Sequence, residues 1–207
     1  RSLAGEERNH PVARRLSSGA LDTSFVVPVF NSGLGGSVYS LAVQNDGKVV
    51  IGGLFSDIGG APQFNLSRLN TNGTLDGVLG AVGADSTVYA VAVQSNQRIV
   101  VGGDFTSING SSRNFIARLL ADGTVDTSFD PGFGANGGVR ALVVDGAGNI
   151  LVGGEFTSFN GAAQRRLVRL NANGGVDGTF NPGTNLNGTV SAIALQSDGK
   201  ILVGGLF

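Results

Sequence analysis

The sequence predicts an all-β protein, a β-propeller of four four-stranded blades, three of them intact and the fourth assembled from the N- and C-terminal halves of the chain. Three observations carry that expectation. One motif recurs at spacings of 50, 51 and 51 residues: VYSLAVQNDGKVVIGGLF from Val38, VYAVAVQSNQRIVVGGDF from Val88, VRALVVDGAGNILVGGEF from Val139 and VSAIALQSDGKILVGGLF from Val190. A fixed period of this length is the signature of a repeat architecture. A second motif follows each of the first three: FNLSRLNTNGTLDGVLG from Phe64, NFIARLLADGTVDTSFDPG from Asn114 and RRLVRLNANGGVDGTFNPG from Arg165. The chain also opens with it, as PVARRLSSGALDTSF from Pro11. Finally, no 3.6-residue apolar stripe runs for ten residues, and 35 glycines among 207 residues suit short strands joined by tight turns.

Within the first full unit, strand one spans Val38 to Gln44 and strand two Lys48 to Phe55. They are joined by Asn45-Asp46-Gly47, where an Asp-Gly pair supplies positive φ angles. Strands three (Phe64 to Leu69) and four (Leu75 to Leu79) are joined by Asn70-Thr71-Asn72-Gly73. Four strands in a meander make one propeller blade. Along strand one, Ser40/Ala42, Ala90/Ala92, Ala141/Val143 and Ala192/Ala194 form a mostly small face opposite a large one at Leu41/Val43 and their equivalents. Small against large lets neighbouring sheets stack closely. The Gly-Gly pair late in strand two (Gly52-Gly53, Gly102-Gly103, Gly153-Gly154, Gly204-Gly205) reads as a bulge or a close backbone approach.

The termini complement each other. Arg1 to Gly5 aligns with Thr157 to Gly161, so the N-terminus resumes the repeat where Phe207 leaves it. One domain over residues 1–207 then comprises a C-terminal half-repeat (1–37), full repeats at 38–87, 88–138 and 139–189, and an N-terminal half-repeat (190–207). Pairing of the halves within one chain, pairing between chains, and a window cut from a longer propeller are the three readings, the first being favoured. Either pairing removes exposed sheet edges. With no initiator Met and no apolar signal core, the chain is expected to be mature, processed or excised.

At these motifs the sequence resembles the bacterial delta-sixty repeat, in the pattern of apolar strand, DGK-type turn, ILVGG-x-F and RL-x-x-x-G-x-x-D-x-x-F. The resemblance covers residues 10 to 207. It implies a β-propeller in a large secreted or cell-surface protein, hence an extracellular or cell-surface location. Two departures are visible: Asn96-Gln97 replaces Asp-Gly in the second copy, and Val78-Leu79 stands where others have Ser24-Phe25 or Thr179-Phe180.

Composition excludes several functions. There are no cysteines, so no disulfide framework or thiolate metal site. The net charge of −1, with Lys48 and Lys200 the only lysines, gives no general attraction for nucleic acid or anionic membrane. No apolar run approaches the length that spans a bilayer. No cofactor and no metal are expected.

Residues repeated in every unit read as scaffold. Arg68, Arg118 and Arg169, with Arg15 or Arg14 in the first block, precede Asp76, Asp126, Asp177 and Asp22 by seven or eight residues; a structural ion pair or turn bond is preferred to a ring for an anionic ligand. Gly132 to Gly137 matches G-x-G-x-x-G but precedes a strand, where a dinucleotide fingerprint needs a helix. Asn70, Asn72 and Asp76, and Asn171, Asn173 and Asp177, resemble a calcium loop too loosely to outweigh the turn reading. His10, the only histidine, is not expected to be catalytic. The sequons at Asn65, Asn72, Asn109 and Asn187 read as coincidences of composition. Asp104 and Glu155, standing where Leu54 and Leu206 stand elsewhere, are the one carboxylate pair a hydrolase could use, and pairing with Arg is the simpler reading.

Positions that vary inside the fixed frame are better site candidates. Tyr39, Tyr89, Arg140 and Ser191 share one place at the start of strand one, the strand expected to line the channel, and Tyr and Arg are common recognition anchors. The chain is therefore expected to be a non-catalytic structural or interaction module, with protein or a second copy of itself as partner. A carbohydrate-binding, lectin-like propeller is the alternative, and a carboxylate-dependent hydrolase is the least favoured.

Overall fold

Each apolar run reaches a polar turn after six or seven residues and folds back on itself, which builds the molecule from antiparallel hairpins. The computed structural model describes residues 11–31, 36–79, 83–183 and 185–207. Among them there is no helix, and eleven strands have four residues or more. The first unit holds β1 (Ser37–Val43), β2 (Val49–Leu54) and β3 (Leu66–Leu69). The second holds β4 (Val88–Val93), β5 (Ile99–Gly103) and β6 (Ile116–Leu119). The third holds β7 (Val139–Val144), β8 (Ile150–Gly154) and β9 (Leu167–Leu170). A last hairpin comprises β10 (Val190–Leu195) and β11 (Ile201–Gly205). The middle strand of each intact unit lies between the other two, antiparallel to both. The first strands of successive units, β1, β4, β7 and β10, pack in series and form the hub.

Four-stranded blades are not what the described residues show. The expected fourth strand is reduced to single bridges, Leu69–Leu75, Leu119–Val125 and Leu170–Val176. One residue later the chain turns, because the Asp126 and Asp177 carboxylates accept the backbone N–H two residues on (3.0 and 2.9 Å). Such a side-chain bond competes with a strand ladder. In exchange, each unit contains an unanticipated two-residue hairpin, such as Ser107–Ile108 with Ser111–Ser112. Its turn residues, Asn109 (φ 48°) and Gly110 (φ 75°), are both left-handed, the geometry for which Asn-Gly is suited.

The long hairpins also turn differently from expectation. Gly47 N–H donates to Gln44 O (2.9 Å) and Gln44 N–H to Lys48 O (2.8 Å), with Gly47 (φ 80°) the left-handed residue and Asp46 outside that region. This is a three-residue loop closed by one αL residue. In the second unit Gln97 takes that place at φ 68°.

The two glycines of each pair answer to different neighbours. A Cβ on Gly52, Gly102 or Gly153 would lie 2.5, 2.4 or 2.6 Å from Cγ1 of Val88, Val139 or Val190 in the next unit. One on Gly53, Gly103 or Gly154 would lie within 2.1 Å of the carbonyl oxygen of Ser37, Thr87 or Gly138, at or just before the start of its own unit's hub strand. The apolar core accordingly sits at the junctions, where Val50 and Leu66 pack with Val88 and Val101, and Val100 and Ile116 pack with Val139 and Val152.

A repeated arginine locks the junctions. Arg14, Arg68, Arg118 and Arg169 donate from Nε to Asp22, Asp76, Asp126 and Asp177 at 2.8, 2.8, 2.7 and 2.7 Å. Nη1 of the first three crosses to a turn carbonyl of the next unit: Thr71 (2.6 Å), Ala121 (2.7 Å) and Ala172. The guanidinium of Arg14, Arg118 and Arg169 also lies over Phe25, Phe129 and Phe180. The first unit lacks that Phe and the Ser or Thr before it; a second cation reaches its aspartate, Lys48 Nζ to Asp76 (3.0 Å), as Arg98 reaches Asp126 in the second unit (3.4 Å).

The two halves do not meet in the described residues. The N-terminal half is pinned to the first intact unit by Arg14 and by Val26 N–H donating to Asn72 O (2.9 Å), and no strand pairs with the outer edge of β11. Among the described residues the array is an open arc. The alignment of residues 1–5, and His10, lie outside the described residues.

Three outcomes follow. Gln97→Gly removes an αL penalty of about 1 kcal/mol and raises the urea midpoint despite losing the Asn45 N–H to Gln97 Oε1 bond; a lowered midpoint would refute the strain argument. Burial opposes the Asp126 charge, but bonds from Ser128 and Arg118 hold its carboxyl below the ordinary value. Its stabilisation is therefore complete above the unfolded value near pH 4 and is lost as pH falls through the lowered folded value. Asp126→Ala strands buried Arg118 and costs about 3–5 kcal/mol at pH 7, with a smaller acid-induced loss below pH 4. Asp177→Ala, at a more exposed pair, costs less by the same urea titration.

Candidate functional site

The four variable hub residues occupy a single structural device. Val38 pairs with Gly53 and Ser40 with Gly52, so Tyr39 is an extra residue on the hub strand, opposite no partner. The same shift places Tyr89 between Val88 and Ala90, Arg140 between Val139 and Ala141, and Ser191 between Val190 and Ala192. A β-bulge re-aims the side chain it carries and leaves it outside the ladder.

Three of these residues form one cluster. The rings of Tyr39 and Tyr89 stack at 5.3 Å with 27° between planes, and the Arg140 guanidinium carbon lies 3.9 Å from the centre of the Tyr89 ring. Arg140 Nη2 contacts Asp104 Oδ1 at 3.2 Å and Glu155 Oε1 at 2.9 Å, and its Nε donates to Glu155 Oε1 at 3.0 Å. Asp104 and Glu155 stand just past β5 and β8, at the same rim. Burial works against the Arg140 charge, but Tyr89, Asp104 and Glu155 outweigh it and hold the guanidinium above its ordinary value. Tyr39 is 51% exposed and presents the open face of the stack. Ser191 continues the row with a short, exposed side chain.

The arrangement can bind a flat or weakly polar ring on the open face of Tyr39, with Tyr89 between it and the Arg140, Asp104 and Glu155 cluster. Those carboxylates, read from sequence as a possible catalytic pair, share one guanidinium between them. The repeated arginines do not form an open anion site, since each is bonded to its aspartate and Arg68 and Arg118 are buried. Gly132 to Gly137 leads into β7, a strand, and Phe133 N–H donates to Asn160 Oδ1 (3.1 Å). Asn72 Oδ1 accepts from Thr74 N and Oγ1 (3.1 and 2.7 Å), a turn bond. Asn65 is buried, its Nδ2 donating to Ala84 O (2.9 Å). Sequence reading offered an arginine for Asp104 and Glu155 without naming it; the structure shows it to be Arg140, whose own unit and the unit before it carry the acidic residues that stand where Leu54 and Leu206 stand elsewhere.

No curated protein matches the sequence. In fold the chain is similar to virginiamycin B lyase from Staphylococcus aureus, at 17% identity and a TM-score of 0.50 over 80% of this chain and 48% of that one. A catalytically inactive form of that lyase with quinupristin gives 18% identity and a TM-score of 0.50 over 85% of this chain and 51% of the other. The extracellular domain of a one-component system of B. thetaiotaomicron gives 16% and 0.48 over 81% of this chain and 20% of its own. The chain thus spans about half the length of the lyase and a fifth of that domain. The family model described as a domain of unknown function (DUF5122) beta-propeller matches residues 44–77, 94–129, 148–180 and 196–207, each window opening at the first hairpin turn and the first three running through the Arg–Asp pair. With more than half of its residues so matched, the chain belongs to that β-propeller family.

Proposed function

We propose that the chain is a non-catalytic, secreted or cell-surface interaction module that binds its partner at the hub rim. The observation that carries this is the Tyr39–Tyr89–Arg140 stack, exposed at Tyr39 and built on three bulges, with Tyr giving way to Arg in the third while the surrounding frame repeats. The resemblance to the delta-sixty repeat supports the extracellular location. A hydrolase loses support from the shared guanidinium, which engages both hub carboxylates. The lyase of similar fold is an enzyme, so the non-catalytic reading rests on these side chains and not on the fold.

A saccharide is the ligand chemistry that suits the rim, because an exposed aromatic face recognises a pyranose by stacking. Glycan-array binding followed by titration of the best glycan tests it. Tyr39→Ala weakens binding by about 10- to 100-fold, the scale of a single aromatic anchor. Unchanged affinity in that variant, or no glycan bound, overturns the saccharide reading.

A further inference from the structure

Two successive internal junctions share one frame, and a group that fills the first is missing from the second. At the first junction the left-handed residue of the turn after β4 reaches back to the preceding unit, where Gln97 Oε1 accepts the Asn45 N–H at 3.0 Å. The same junction carries Arg68, whose Nη1 donates to Gln44 Oε1 (3.2 Å) and Ala121 O (2.7 Å). The second junction repeats that arginine, with Arg118 Nη1 on Gln94 Oε1 (3.3 Å) and on Ala172 O. It lacks the reaching side chain, because the residue that matches Gln97 is Gly148 (φ 85°). The Ser95 N–H, which matches that of Asn45, therefore has no acceptor among the described residues.

A cavity of about 480 Å³ stands at this second junction, and its lining includes Gln94, Ser95, Arg98, Arg118, Asp145 and Gly148. It lies between the second and third units, past the last residue of β7, at the opposite end of that strand from Arg140. Donors and acceptors divide between its walls. On the wall of the second unit, beside the Ser95 N–H, the Arg98 side chain is 36% exposed. Its Nε lies 3.4 Å from Asp126 Oδ2, an oxygen that Arg118 already holds at 2.7 Å, so its Nη groups are left to face the cavity. On the wall of the third unit, Asp145 Oδ1 accepts from Ala147 N and Asn149 N (both 2.9 Å). Oδ2 accepts from Asn149 Nδ2 alone (2.8 Å) and keeps a lone pair.

We propose that this notch binds a primary carboxamide, the side chain of a glutamine or asparagine on a peptide partner, in the place that Gln97 fills one junction earlier. The ligand oxygen accepts from the Ser95 N–H and Arg98, and the ligand NH₂ donates to Asp145. An amide satisfies a wall of donors and a wall with an acceptor together. A carboxylate has no proton for Asp145 and meets its charge, and an ammonium meets the two guanidiniums. The chain itself supplies the precedent, since the group that closes the first notch is a carboxamide bonded to the equivalent N–H. The proposal does not depend on what the hub rim binds.

Amide NMR of the isotope-labelled chain, titrated with N-acetylglutamine N-methylamide, tests it. The Ser95 signal moves saturably, and the alanine and glutamate analogues of the probe bind at least about 10-fold more weakly, the scale of one or two lost hydrogen bonds. Gly148→Gln has room for its Cβ, 3.8 Å from that of Ala172, and supplies the chain's own carboxamide; Ser95 then shifts without probe and no longer responds to it. If that variant lacks the wild-type circular dichroism, Gln97→Gly decides the matter: it opens the first notch, and the Asn45 signal, silent in the wild type, begins to follow the probe. No response at Ser95, an equal response to the alanine analogue, tighter binding of the glutamate analogue, or a response that survives in folded Gly148→Gln overturns the proposal.

Discussion

The arginine that reaches from one unit into the next is the constraint on which the remaining structure depends. A sheet of three short strands needs its hydrophobic face to be covered, and here the buried side chains lie between units rather than within them. Apolar contact alone would let neighbouring sheets slide. A guanidinium bonded at one end to its own aspartate and at the other to a neighbour's turn carbonyl sets distance and angle together, because its donors form a rigid planar fork. Burial of Arg68 and Arg118 makes this demanding as well as directional, since each buried charge needs its partner.

The glycines extend the same logic to the backbone. With a side chain at Gly102 the next hub strand could not approach, and the arginine would no longer span the gap. Where the repeat departs, one contact is lost and the frame stays. The first unit has Val78 where others have Ser or Thr, losing the hydroxyl that bonds the aspartate in Asp126–Ser128 and Asp177–Thr179, while its Arg68–Asp76 pair is kept.

The unit length, the two long strands and the reason for Gly-Gly were legible in the sequence, since all rest on side-chain size and period. The fourth strand was not: Leu75 to Leu79 looks extended by composition, but Asp76 sits inside it, and an aspartate bonding the N–H two residues on bends the chain whatever its apolar neighbours prefer. The short hairpin was legible at Asn109-Gly110 and Asn160-Gly161 but spans too few residues for alternation to register. At the rim, equivalence within the repeat placed Tyr39, Tyr89, Arg140 and Ser191 on one row. The bulge that turns them from the ladder, and the bridging of Asp104 and Glu155 by Arg140, depend on register and on distances across units, which spacing along the chain does not contain.

The bulge row has a consequence for how such a chain can change. Its residues pair with nothing across the strand, so their side chains are exchanged without disturbing the hydrogen-bonded frame or the glycines behind it. Each duplication of a unit adds one more unconstrained letter to a word written around the hub, here Tyr-Tyr-Arg-Ser. A lineage built this way explores new recognition surfaces by spelling, while the architecture that displays them is copied unaltered.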